Sequence, residues 1–349
     1  MKTTKNVHGI TLALAWRLAA TLKERIHPLK STGVFSFRQC CFTLLFLLVL
    51  PVAVRAQFTY TTNGSSVTIT GYTGPGGAVV IPSSTNGHTV TGIGTEAFQS
   101  SLVTSVVIPT SITNIGVEAF VGCPNLTNIS VTTGSSSFSS INGVLFDRGQ
   151  DTLIEYPEGL TPTNGTYTIL PYSSGSSIGP YAFADCSRLT NLVLVTVTNI
   201  GEYAFAECTD LTSVTVTNYD GDETSIEPYA FAYCSRLTNV LTYNVNIEDF
   251  AFTECTSLTS ITIPTPASFS FYDVKPTSVG VAAFTFCTSL TNVVIGSTVT
   301  NIGGLAFAFC TNLTSAYFAS NAPPDVGTAF DEDPAATVYY EIGTTGWGP

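Results

Sequence analysis

The chain has 349 residues, with 24 acidic side chains against 12 Lys and Arg and a net charge of −12. Eight of the 12 cations precede residue 57, so the remainder sets four cations against 23 acids, a net charge of −19. A phosphate backbone is held by clusters of Lys and Arg, so this balance disfavours nucleic-acid binding and fits solubility outside the cell.

In chain order, residues 1–39 carry seven cations against the single acid Glu24, and an apolar run, Cys40 to Val54, leads into Arg55-Ala56. A basic segment, about fifteen apolar residues and a small residue at the end predict a secretory signal peptide cleaved after Ala56, too short for a membrane span. Cys40 and Cys41 stand at the start of the apolar run instead of following it, which argues against a lipid anchor. Residues 57–92 read as an N-terminal β cap: Phe58 to Thr62 and Val67 to Thr70 alternate around Asn63-Gly64, and Gly74-Pro75-Gly76-Gly77 turns into Ala78 to Ile81.

Residues 93–316 are repetitive. The segment from Ile200 to Val216, IGEYAFAECTDLTSVTV, recurs with its Ala-Phe pair at Phe98, Phe120, Phe183, Phe205, Phe231, Phe252, Phe284 and Phe307, and in part at Phe330. The steps of 22, 63, 22, 26, 21, 32, 23 and 23 residues have the period of a leucine-rich repeat. Within a copy, Glu202 to Cys208 is predicted to form one or two helical turns with Ala204, Phe205 and Cys208 inward. Leu211 to Val216 is predicted as a strand with Val214 and Val216 inward and Ser213 and Thr215 outward. Stacking then turns each position into a column. The residue after the leucine is Thr, save that Thr104 follows Val103 in the first copy, which is one residue short after Phe98; the next is always Ser or Asn, and two further on stands a mixed column: Val107, Ser130, Val193, Thr215, Leu241, Thr262, Val294 and Tyr317. The uniform columns read as structural, and the mixed one as the candidate ligand-binding surface.

The run IGxxAFxxCxxLTxVxI, seen in Ile115-Gly116, Ala119-Phe120, Cys123, Leu126-Thr127 and Ile129 and in later copies, resembles the BspA-type leucine-rich repeat of bacterial surface and secreted proteins. The resemblance spans nearly all of residues 57–349. It departs from the pattern at Ser101, which stands where later copies have Cys, and over 132–177. It implies an α/β repeat solenoid: a leucine-rich-repeat stack of short strands and short helical turns, with β-rich caps at both ends. Residues 132–177 are then degenerate rungs around a hairpin candidate, Asn142 to Phe146 and Thr152 to Tyr156, since such stretches are common in the family. Longer loops enter at 218–224 and 264–278. Residues 317–349 read as a partial repeat at Ala329-Phe330 followed by a C-terminal cap.

Little catalytic chemistry is available. His88 is the one histidine after residue 56 and sits beside Gly87 in a turn, so neither a histidine triad nor a multi-histidine metal site can be assembled. No phosphate-binding glycine loop occurs, no enzyme is expected, and no cofactor. Asp220-Gly221-Asp222-Glu223 offers oxygens to calcium but lacks the spacing of a calcium loop, so no metal site is assigned. Seven cysteines share one repeat slot, an odd number in a position suited to a small apolar side chain, which predicts buried, reduced thiols. The Thr column raises ice binding, but the adjoining columns form no regular Thr-x-Thr lattice. The function expected is a secreted or cell-surface module, with no membrane span after signal cleavage, that binds an extracellular protein or glycan through the mixed column. The alternative is a structural or matrix repeat protein without a ligand.

Overall fold

Each coil of the chain has three sides. In the computed structural model, which describes residues 57–169, 175–217, 223–242, 244–263, 276–324 and 326–347, a coil comprises a front strand, a short back strand and a turn side. The predicted signal peptide, Asp220 to Asp222 and most of the second long loop lie outside these residues. Ser213–Thr217 is a front strand, Thr224–Ile226 the next back strand, and 227–238 the turn side leading to the following front strand, Asn239–Thr242.

Front strands pair in parallel with front strands one coil away, in an eight-stranded sheet from Thr166–Ile169 to Thr337–Tyr340 and a three-stranded one, Gly77–Val80, Val103–Ile108 and Asn128–Val131. Back strands do the same, up to Val299–Ile302. At the amino-terminal end, Phe58–Asn63 folds antiparallel onto Ser66–Tyr72, which begins the back ladder, so that a non-repeat strand covers its edge. The first front strand, Gly77–Val80, therefore precedes the first Ala-Phe copy.

The result is a β-solenoid, and the expected helical turns do not form. Among the described residues the only helical pieces are the three-residue 3-10 turns Thr163–Gly165 and Val326–Thr328. The reason lies in the backbone of 202–208. Tyr203 and Glu207 have φ of 55° and 58°, in the left-handed region that an α-helix excludes. The Phe205 and Glu207 amides donate to the Ala230 and Ala232 carbonyls of the next coil, at 2.7 and 2.9 Å, and are withdrawn from any helical ladder. The same pair of left-handed residues recurs at Tyr229 and Tyr233, Phe250 and Glu254, and Leu305 and Phe309. Seven residues are too few to nucleate a helix against such competition.

Inward positions match the alternation read from the sequence. Ala204, Phe205, Cys208, Leu211, Val214 and Val216 are all fully buried. The phenylalanines stack one per coil: Phe183, Phe205, Phe231 and Phe252 follow at 4.6, 5.0 and 5.0 Å between ring centroids, and the column runs on to Phe330. Tyr156 takes the phenylalanine place beneath Phe183, at 4.7 Å. Coils approach closely where Ile is followed by Gly: a Cβ on Gly201 would lie 2.6 Å from the Pro180 nitrogen, so a side chain there would force the coils apart.

Over 138–155 the chain leaves the parallel pattern. Val144–Asp147 pairs antiparallel with Phe138–Ile141 and with Thr152–Glu155, and only the last of these joins the parallel back ladder. Val144 and Phe146 enter the core of the later coils, whereas Leu145 enters that of the earlier ones. Strand alternation thus makes this hairpin a partition, apolar on both faces, between two stretches of core.

The seven repeat cysteines are buried and free. Each thiol donates to the carbonyl of the aromatic residue one coil back; Cys208, Cys234 and Cys255 reach Phe183, Phe205 and Phe231 at 3.1, 3.2 and 3.3 Å. Burial pushes the Cys234 thiol up to about 12 and that of Cys208 well above the ordinary range, which keeps both protonated and unreactive. Phe205→Ala should destabilise the fold by about 3 to 5 kcal/mol, since the cavity is walled by rings that cannot collapse. A loss under about 1 kcal/mol in denaturant titration would contradict the inward column. Thiol titration of denatured, unreduced protein should find all seven repeat thiols, and a single free one would mean three disulfides instead.

Candidate functional site

The front sheet carries three outward columns whose roles differ. The Thr column is tied down: the hydroxyls of Thr127, Thr212, Thr238, Thr291 and Thr314 donate to the carbonyl of the Thr one coil back, as Thr212 does to Thr190 at 2.9 Å and Thr238 to Thr212 at 3.1 Å, and Thr190 donates to the Gly165 carbonyl. Those carbonyls also accept the corresponding amides, so only a side chain with a hydroxyl near its Cβ fits. The Ser/Asn column is linked in places, Ser213 donating to Asn191 Oδ1 at 2.7 Å and Ser315 to Asn292 Oδ1 at 3.1 Å.

The mixed column is divided by the hairpin. Val107 and Ser130 are partners in the three-stranded sheet, while Val193, Thr215, Leu241, Thr262, Val294 and Tyr317 are successive partners in the eight-stranded one. Thr168 extends the longer ladder at one end and Tyr339 at the other. Leu241, Tyr317 and Tyr339 are 39%, 45% and 46% exposed, and the Tyr317 and Tyr339 rings stack at 4.8 Å. Beside them lies an open groove of about 410 Å³, lined by Thr262, Val294, Tyr317, Tyr339, Tyr340 and Glu341 among others. Tyr339 was legible: the strand Thr337 to Tyr340 continues the repeat and puts it 22 residues after Tyr317.

The turn side presents a second set of side chains that the motif did not single out. In four successive coils the residue before Ala-Phe is aromatic and these form a rib, Tyr181, Tyr203, Tyr229 and Phe250, with ring spacings of 5.0, 4.8 and 4.9 Å. Its sequence signal is an aromatic residue repeated immediately before Ala-Phe. Among the described residues, no group of three or more His, Cys, Asp or Glu is placed to hold a metal ion, and no helix is long and apolar enough to cross a membrane. Glu223, at the end of the acidic loop, accepts a hydrogen bond from Asn246 Nδ2.

The BspA-type leucine-rich repeat region, a family model of six copies, matches residues 91–164, 161–273 and 267–329. The chain belongs to the BspA-type leucine-rich repeat family. The fold of this BspA-type chain is similar to that of the pneumococcal vaccine antigen PcpA, at 17% identity over 82% of this chain and 98% of the other, with a TM-score of 0.51. A leucine-rich repeat protein from Eubacterium ventriosum aligns at 17% identity over 82% and 95% of the two chains, with a TM-score of 0.46. No curated protein sequence matches the chain.

Two carboxyls of this BspA-type solenoid beside the hairpin, Glu155 and Glu158, are raised by burial. Burial raises Glu158 from 4.5 to about 7, with the Asp185 charge adding to the shift and Arg188 opposing it. Burial also holds Glu155 well above the usual carboxylate range, and the charge of Glu158 pushes it further. A carboxyl whose pKa is raised on folding binds its proton more tightly in the folded state, so stability increases as pH falls from about 7 toward 4.5. Melting temperature should therefore rise on mild acidification through that window, and Glu158→Gln should flatten the rise. A melting temperature that falls on acidification, with the same slope in the variant, would contradict this assignment.

Proposed function

We propose that the chain is a secreted or cell-surface, non-enzymatic module that binds an extracellular protein or glycan on its front sheet. One observation carries this most: a column in continuous register from Val193 to Tyr317, varied from coil to coil on an otherwise uniform frame, and ending beside an open aromatic groove. Rigid columns keep the ordering entropy of binding low, and exposed Leu and Tyr give contact area without catalytic groups. The basic and apolar leader ahead of Gln57 and the surface and secreted members of the family support export. The excess of acids supports a partner that is not nucleic acid. The stacked phenylalanine ladder favours a second reading, in which stiffness alone is the function and the protein is a matrix component without a specific ligand.

A glycan and matrix-protein array separates the two. For a ligand so found, the triple variant T215K/L241K/T262K, which places three ammonium groups on adjacent coils, should weaken binding by about tenfold or more with the β circular dichroism unchanged. Unchanged affinity in a folded variant would move the site off the front sheet. An array without a hit, together with self-association of the protein, would favour the matrix reading.

A further inference from the structure

We infer that the turn side is a second docking surface, distinct from the front sheet, and that it takes a cationic amphipathic segment of a partner polypeptide. In the coils from 181 to 309 the residue before Ala-Phe and the residue four positions later both have positive φ and, apart from the buried Ala282, retain solvent contact on either side of the buried Phe, giving two parallel rows. The first row is the rib of Tyr203, Tyr229 and Phe250, begun by Tyr181. Along the rib from Tyr203 to Phe250 the rings lie within 2° of parallel, so their faces cover one another and a partner meets ring edges and phenol groups. In the second row Glu207, Tyr233, Glu254 and Phe286 follow coil by coil, and Phe286 stacks on Phe309 at 4.7 Å. Tyr233, Phe286 and Phe309 are 42%, 43% and 37% exposed.

Stiffening of the turn does not account for these rings. A left-handed backbone favours Gly, Asn or Asp, and aromatic side chains gain nothing from it. The equivalent places in other coils hold Glu96, Glu118 and Ala282 at φ of 57°, 59° and 52°, so the turn closes without a ring. The buried Phe column already couples the coils. Half-buried rib rings beside exposed Tyr233, Phe286 and Phe309, at positions where the backbone disfavours them, mark an interaction surface.

Charge selects the partner. Glu202, Glu207, Asp249 and Glu254 flank the rings, whereas 201–207, 227–233, 248–254, 280–286 and 303–309 contain no Lys or Arg. Arg236, on a neighbouring turn, is already paired with Asp210 at 2.7 Å. An apolar surface fringed by unneutralised carboxylates repels nucleic acid, anionic lipid and a second copy of this acidic chain. It attracts a chain in which apolar side chains lie on the ring edges while Lys or Arg reach the carboxylates.

Fluorescence anisotropy with three labelled peptides tests this: an amphipathic Lys/Leu peptide, its Glu/Leu counterpart and a Lys-only peptide of equal length. The Lys/Leu peptide should bind, the Glu/Leu peptide should not, and the Lys-only peptide should bind more weakly. Y203N/Y229N/Y233N, in which Asn suits the left-handed backbone, should lose about tenfold in affinity. E207Q/E254Q, which retains every ring, should weaken binding and reduce its salt dependence, and it keeps the test intact should the triple variant fail to fold. Leu241→Ser, on the front sheet, should bind as the unaltered protein does. Absence of Lys/Leu binding, equal binding of the Glu/Leu peptide, or full affinity in both turn-side variants would overturn the inference. A loss in Leu241→Ser equal to that in the turn-side variants would also overturn it and assign the peptide to the front sheet.

Discussion

Main-chain hydrogen bonding between equivalent residues one coil apart, on all three sides of the coil, is the constraint on which the rest of the structure depends. Once the Phe205 amide is bonded to Ala230 and the Val214 strand position to Val240, every side chain lies beside its counterpart in the next coil. Inward, this demands residues that stack on themselves, and Phe, Cys and Leu do so with almost no accessible surface. Outward, it turns any repeated choice into a ladder, whether Thr hydroxyls on carbonyls or Tyr rings on Tyr rings.

That constraint also explains what could be read from the amino acids alone. Inward and outward assignments needed only strand alternation and the recurrence of one motif, and Phe205, Val214 and Thr215 lie on the expected faces. The turn at Glu202 to Cys208 was misread as helical because Ala and Glu favour helices locally, while the bonds that decide its shape run to another coil. The partition formed by Val144, Leu145 and Phe146 had the same origin: a run of three apolar residues in a hairpin does not say that its two faces serve different cores. The candidate column was legible residue by residue, but not its division between Ser130 and Val193, which follows from that hairpin. The aromatic rib was present in the sequence as a repeated aromatic before Ala-Phe and was passed over because the motif was read for its buried positions.

Functionally, the two outward surfaces differ in how their variation arises. On the front sheet, Thr is held by hydrogen bonding, and the residues that vary most from coil to coil form one line that ends at the groove. On the turn side, left-handed backbone is fixed and side chain is free, so Glu118, Tyr203, Ala282 and Leu305 all occupy one place. A solenoid separates frame from surface in this way because each coil meets only its neighbours, and a change in one outward residue leaves the stack intact.

Amide hydrogen exchange at the turn side tests the coil-to-coil bonding most directly. The account predicts that the amides of Phe205, Glu207, Phe231 and Tyr233, each donating to a carbonyl of the next coil, exchange as slowly as that of Val214 in the front sheet. Exchange of these four at the rate of exposed loops, while Val214 stays protected, would contradict it.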